Sequence, residues 1–119
     1  MKVSEAMRKV IVANDDLAMR DAARFMSEKN IGCLVITKKD RIIGVITERD
    51  VIKNVDKLNE KVARVMSKNV LTIDSKDNLD SAAKIMGANK IKRLPVLASG
   101  KLVGIITATD ILANEESLN

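Results

Sequence analysis

The chain has 119 residues, of which 46% are hydrophobic and 31% charged, the balance of one compact water-soluble domain. It contains no His, no Trp, no Tyr and a single Cys, which excludes His-dependent catalytic triads and intrachain disulfides and removes the commonest nitrogen ligand of zinc. Residues 1–59 carry 12 basic and 9 acidic groups and residues 60–119 carry 9 and 7, so the net charge of +5 predicts a mildly basic surface without a basic tail.

The first half of the chain predicts five elements in chain order. An apolar run at Val10–Ala13 is typical of a short strand, and turn-forming residues follow it. Apolar residues at helical spacing predict a helix over residues 17–29. A hairpin of strands Gly32–Thr37 and Arg41–Ile46 comes next, and a last helix begins near Thr47.

The same pattern returns 60 residues later, because residues 10–52 align without gaps on residues 70–112. The second set of elements is a strand at Val70–Ile73, a helix at 78–89, strands at Leu94–Ala98 and Lys101–Ile106, and a helix from Thr107. Asn30 and Asn89 stand near the ends of the two longer helices, where a residue that tolerates the left-handed conformation is useful. The chain is therefore a tandem duplication.

The duplication predicts an α+β fold of two β-α-β-β-α units. Sixty residues are too few for a robust independent core, so we expect the units to bury their apolar faces against each other, through their sheets, around a pseudo-twofold axis. We place the first repeat at residues 1–57, the second at 58–114 and a C-terminal tail at 115–119, all within a single module. A short segment ending in Met7 or Met66 opens each repeat.

Each repeat carries Gly-x-x-Thr-x-x-Asp, at residues 44–50 and 104–110, and the second also carries Ile91-Lys92-Arg93-Leu94-Pro95-Val96. With the Met-ending segments, this pattern resembles a tandem pair of CBS motifs, the regulatory module named after cystathionine β-synthase. The resemblance covers nearly the whole chain. It implies a dimer whose clefts hold AMP, ADP, ATP or S-adenosylmethionine as a regulatory ligand, with no catalytic residue, metal or other cofactor.

The Thr-x-x-Asp spacing has a chemistry of its own at the start of a helix. Free amide groups and the helix dipole attract phosphate there, and the hydroxyl of Thr47 or Thr107 can add a donor. The carboxylate of Asp50 or Asp110 can accept two hydrogen bonds from a ribose diol. The alternative is a capping box, in which the threonine and the acid only satisfy the helix terminus. Capping and binding are compatible.

Arg93 is the candidate phosphate ligand, through bidentate contact of its guanidinium, since an arginine at this motif position has that role in several family members. The alternative is a surface cation on the exposed face of a strand. The first repeat has Cys33 at the matched position and offers Arg49 where the second has Thr109. We therefore expect two unequal sites, with the Arg93 site favoured for a phosphorylated ligand.

The adenine ring needs an apolar slot with backbone donors and acceptors, which the first and third strands of each repeat can supply. The alternative for each of these residues is plain core packing. The candidates for the adenine surroundings are Val12, Ala13 and Val45 in the first repeat, and Thr72, Ile73 and Ile105 in the second. Pro95, next to the Arg93 motif position, is a further candidate ligand-binding residue.

The leading hypothesis is therefore a cytoplasmic, homodimeric, ligand-sensing module that signals to an unknown effector protein in another chain. No apolar run is long enough to span a bilayer and charged residues interrupt any leader pattern, so we expect no membrane segment. Two alternatives stay open: a ligand-free interaction scaffold in which Thr-x-x-Asp only caps helices, and, less favoured, a nucleic-acid-binding protein that uses the positive charge.

Overall fold

The computed structural model describes residues 1–114 of the chain. Its elements in chain order are α1 Val3–Ala6, β1 Val12–Asn14, α2 Met19–Lys29, β2 Cys33–Lys38, β3 Arg41–Thr47, α3 Glu48–Lys53, β4 Ile73–Asp74, α4 Leu79–Asn89, β5 Arg93–Ala98, β6 Lys101–Thr107 and α5 Ala108–Ala113. Single turns of 3₁₀ helix lie between α3 and β4, at Val55–Lys57 and Val62–Arg64.

Each repeat forms one three-stranded sheet with the same topology. The orders are β1-β2-β3 and β4-β5-β6, and in each sheet the first strand runs parallel to the central one while the hairpin partners are antiparallel. Both hairpin turns contain two successive residues with positive φ, Lys39 and Asp40 in one and Ser99 and Gly100 in the other, as tight two-residue turns require. The predicted α+β class with two such units is confirmed.

The longer helices bury one apolar face each and end in a left-handed residue. Met19, Ala22 and Met26 are the buried residues of α2 and Leu79, Ala82 and Met86 those of α4, at the spacing that defines a helical face. Helix α2 ends at Asn30, with φ of 54°, as the sequence indicates. Helix α4 runs through Asn89, and Lys90 takes the left-handed position with φ of 53°.

The first strands are shorter and later than the apolar runs predict. Strand β1 covers Val12–Asn14, and β4 covers only Ile73–Asp74. The amide of Val35 donates to the carbonyl of Ile11 at 3.2 Å, whereas Pro95 at the matched position of β5 has no N–H to donate. The missing donor accounts for the shorter pairing of β4.

The chain forms two compact units that do not follow the order of the sequence. One unit is Ile11–Val70; the other joins Met1–Val10 to the chain from Leu71 onward. Each has its own hydrophobic core: Val62 belongs to that of the first unit, together with Leu34 and Ile46, and Val3 belongs to that of the second. Each opening segment therefore packs with the strands of the other repeat.

A glycine in the third strand of each sheet admits the methionine of the opening segment. A Cβ on Gly44 would lie 2.3 Å from the sulfur of Met66, and a Cβ on Gly104 would lie 2.7 Å from that of Met7. The division of the sequence at residues 57 and 58 stays a prediction, and the predicted tail at 115–119 lies outside the described residues.

Candidate functional site

In the unit Ile11–Val70, Thr47 and Asp50 form a closed capping box at the start of α3. The amide of Asp50 donates to Thr47 Oγ1 at 3.3 Å, and the amide of Thr47 donates to Asp50 Oδ2 at 2.9 Å. The threonine hydroxyl also donates to Oδ2, at 3.1 Å. Asp50 is half-buried, and no residue of the described chain donates a hydrogen bond to its second oxygen, Oδ1.

Thr107 and Asp110 form the same box at the start of α5 in the other unit. The corresponding distances are 3.1 Å from the Asp110 amide to Thr107 Oγ1, and 2.9 Å from both the Thr107 amide and its hydroxyl to Asp110 Oδ2. Asp110 is buried, with 4% of its surface exposed. The capping interpretation of Thr-x-x-Asp is therefore confirmed in both repeats.

The closed boxes use donors that the sequence analysis assigned to phosphate. A threonine hydroxyl has one proton, and each box directs it to the aspartate. The first amide of each helix is also engaged, since Glu48 donates to the carbonyl of Gly32 at 3.1 Å and Ala108 to that of Lys92 at 2.8 Å. These donors are therefore already used within the protein.

Arg8 contacts the candidate site residue Asp110, a contact that the sequence did not predict. Its Nε donates to Asp110 Oδ1 at 2.5 Å, so both carboxylate oxygens of Asp110 are engaged. The backbone of Arg8 is paired in both directions with Ile105, at 2.8 and 3.0 Å. The sequence feature that could have indicated Arg8 is its position directly after Met7, since the other repeat has Ser67 after Met66.

Arg93 is the first residue of β5 and lies opposite Thr107 on β6, which brings together the three second-repeat candidates Arg93, Thr107 and Asp110. Its side chain is half-buried and makes no hydrogen bond or ion pair with any residue in 1–114. Cys33 lies opposite Thr47 at the matched place in the other sheet. Arg49 and Thr109, one position before the aspartates, are exposed.

The candidates for the adenine surroundings divide between exposed and core positions. Val12 is 47% exposed and Ala13 half-buried, both in β1, and Thr72 is half-buried just before β4. Val45 and Ile105 are half-buried in the third strands. Ile73, in contrast, belongs to a hydrophobic core, and Pro95 is buried in the central strand β5.

Two kinds of site are not found in the described part of the chain. No cluster of three or more Cys, Asp or Glu side chains in residues 1–114 is arranged to hold a metal ion. None of the helices formed by these residues is long and apolar enough to cross a membrane.

The two units share one topology, and each carries a Thr-x-x-Asp capping box at the same place. A family model described as CBS domain matches residues 3–57 and again residues 62–116. The chain belongs to the CBS-domain family. The resemblance seen in the sequence is thereby confirmed, as a tandem pair of CBS domains.

Relatives and solved structures agree with this membership. Protein MJ1232 of Methanocaldococcus jannaschii is 36% identical over 107 residues, which are 89% of this chain and 36% of that protein. Inosine-5′-monophosphate dehydrogenase of Thermoplasma acidophilum is 32% identical over 111 residues, 92% of this chain and 22% of the enzyme. The chain thus spans well under two thirds of either relative.

The crystal structure of the CBS domain pair of protein MJ0100 superposes on this chain with a TM-score of 0.91. It is 25% identical, and the match covers 100% of this chain and 98% of that one. That pair was crystallised in complex with 5′-methylthioadenosine and S-adenosyl-L-methionine.

Proposed function

We propose that this CBS pair is a regulatory module, without catalytic activity, that binds an adenosine-containing ligand such as AMP, ADP, ATP or S-adenosylmethionine. The observation that carries the proposal is the structural match to the MJ0100 pair, with a TM-score of 0.91, since that pair was crystallised with two adenosyl compounds. A ligand changes the populations of two conformations by its difference in affinity for them, and an effector protein can respond to that change.

The contacts of the site support this proposal in two ways. Asp50 keeps one carboxylate oxygen without a partner among residues 1–114, and a carboxylate oxygen is a strong acceptor for a ribose hydroxyl. Arg93 is half-buried beside Thr107 and makes no ion pair with an acid in residues 1–114, which suits a guanidinium that binds an anion. A phosphorylated ligand would supply that anion.

Isothermal titration calorimetry with adenosine, AMP, ADP, ATP and S-adenosylmethionine tests the proposal. We expect Arg93→Ala to weaken AMP binding by about 10- to 100-fold, the value of a lost hydrogen-bonded charge pair, and to change adenosine binding little. Arg41→Ala is the control, because Arg41 is an exposed arginine at the start of β3. A folded protein that binds none of the five compounds contradicts the proposal.

We also propose that the module is a homodimer. Large apolar side chains are exposed on it, with Ile52 71%, Val55 66% and Leu112 65% exposed. Ile52 also lines a cavity of about 310 Å³ between α2 and α3. Removal of such side chains from water by a second copy of the chain would stabilise a dimer.

Analytical ultracentrifugation of Ile52→Glu and Leu112→Glu tests the dimer, and we expect both variants to sediment as monomers. Val103→Glu is the control, since Val103 is also exposed but lies on β6. A wild-type protein that is monomeric at 100-fold the concentration of the ligand titrations contradicts this part of the proposal.

The second candidate is a ligand-free interaction scaffold. One observation favours it: both aspartates close capping boxes and so already have a structural role. A melting temperature that stays constant in the presence of every compound of the panel supports the scaffold, because a ligand that binds only the folded state raises that temperature.

A further inference from the structure

Asp110 accepts one hydrogen bond more than Asp50, and that hydrogen bond comes from a charged side chain, Arg8. Asp110 Oδ2 accepts from Thr107, and Oδ1 accepts from Arg8, whose Nε lies 2.5 Å away. Asp50 Oδ2 accepts from Thr47 in the same way, but no donor within residues 1–114 reaches its Oδ1. The carboxylate of Asp110 is therefore closed, and that of Asp50 is open on one side.

The backbone that holds Arg8 is the same in both units, so the side chain alone makes the difference. Arg8 pairs with Ile105 through two hydrogen bonds of 2.8 and 3.0 Å, and Ser67 pairs with Val45 through two of 3.0 Å. Each partner precedes its capping threonine by two residues. A serine at this place is too short to reach the carboxylate as the arginine does.

We propose that Arg8 is a specificity-determining residue that closes the carboxylate of Asp110 to neutral ribosides. This inference rests on the proposed function, in which the aspartate accepts hydrogen bonds from the two ribose hydroxyls. A carboxylate oxygen has two lone pairs, and Arg8 occupies one of those on Oδ1, so only one hydroxyl of a diol can be accepted there. The second hydroxyl must displace the charge-assisted hydrogen bond of Arg8. The ion pair thus raises the free energy of binding any ligand that brings no charge of its own.

An anionic ligand pays less of this cost, because its phosphate can replace the carboxylate as the partner of a guanidinium. The unit that contains Asp110 places two arginines beside β6. Arg8, in the opening segment, lies opposite Ile105, and Arg93, in β5, lies opposite Thr107. The other unit has Ser67 and Cys33 at those places. We therefore assign nucleotides to the Asp110 site and neutral nucleosides to the Asp50 site.

The test exchanges Arg8 and Ser67 between the two units. Arg8→Ser keeps the paired backbone and the capping box, and 65% of the Arg8 side chain is exposed, so the variant is expected to fold. Asp50→Asn is added to both the Arg8→Ser and the reference protein, so that calorimetry reports the Asp110 site. Adenosine and AMP are the probes.

We expect Arg8→Ser to raise the affinity for adenosine by about three- to tenfold, the range of one partly exposed charged hydrogen bond, and to raise that for AMP less. The reciprocal Ser67→Arg, in an Asp110→Asn protein, is expected to lower the affinity for adenosine.

Two negative results are distinguishable. Arg8→Ser with an unchanged ratio of AMP to adenosine affinity, in a protein that binds both, overturns the role of Arg8 and leaves the proposed function standing. A failure of every variant and of the wild-type protein to bind either probe overturns the proposed function, and the role of Arg8 with it.

Discussion

Gly104 leaves the space that the thioether of Met7 occupies. A Cβ on Gly104 would lie 2.7 Å from the sulfur of Met7 and 2.9 Å from the backbone oxygen of Arg8. The backbone oxygen is held by its hydrogen bond to Ile105, so it cannot move away as a flexible side chain can. The glycine is thus a packing requirement of the segment that carries Arg8.

We expect Gly104→Ala to lower the free energy of unfolding by about 1–3 kcal/mol, the usual cost of an overpacked site. Gly87→Ala is the matched control, because a Cβ there meets nothing within 4 Å and the residue lies within α4. That control should gain about 0.5–1 kcal/mol from helix propensity. Urea denaturation measures both values, and equal effects of the two variants would contradict the packing argument.

The N-terminus of α2 lacks the cap that α4 has. Asn78 Oδ1 accepts from the amide of Ser81 at 2.8 Å, whereas Ala18 at the matched position of α2 has no side chain to do so. We expect Asn78→Ala to cost about 1 kcal/mol and Ala18→Asn to add stability of similar size. Thermal unfolding checks both; a destabilised Ala18→Asn protein would show that the half-buried site has no room for the amide.

The C-terminus of helix α4 is capped by Lys90, which has a left-handed backbone conformation. Lys90 has φ of 53°, a conformation that costs a residue with a Cβ about 1 kcal/mol. Lys90→Gly should therefore raise the free energy of unfolding by a few tenths to about 1 kcal/mol. Lys84→Gly, at an exposed position inside the same helix, should lower it by about 1 kcal/mol. The same sign for both substitutions would be inconsistent with the left-handed geometry.

Pro95 explains why β4 is short, and its replacement should lengthen the strand. In Pro95→Val the new amide can donate to the carbonyl of Leu71, as Val35 donates to that of Ile11. We expect this amide to exchange with deuterium as slowly as that of Val35, measured by NMR. Fast exchange at residue 95 would mean that the proline is not what limits β4.

Much of the fold followed from the sequence because the 60-residue repeat duplicates every signal. Helices α2 and α4, the hairpins and the threonines that begin α3 and α5 were predicted within about two residues, whereas the short helix α1 was not predicted. The predicted first residues of β1 and β4 were wrong, because apolar character does not reveal which backbone carbonyls accept a hydrogen bond from the next strand. In β4, the start of the strand is set by Pro95, which has no N–H to donate. The packing of each opening segment against the strands of the other repeat was not predicted either, because it depends on contacts between residues that are far apart in the sequence.

The candidate site was predictable only where a motif named it. Thr107 and Asp110 carry a recognisable spacing, and Arg93 stands out as a cation within an apolar segment. Arg8 has neither signal, since it lies 102 residues from Asp110 in the chain and meets it only through the pairing with Ile105. Of the apolar candidates, Ile73 could not be separated from core residues by its type alone.

The exchange of opening segments makes the two units unequal as pieces of chain. Residues 11–70 form one uninterrupted stretch that contains a whole unit, while the other unit is assembled from two stretches separated by that insertion. During synthesis, all of residues 11–70 therefore leave the ribosome before the other unit is complete. Arg8 is made 102 residues before Asp110, so their ion pair can form only near the end of synthesis. A cut at the repeat boundary would leave neither half with a complete core.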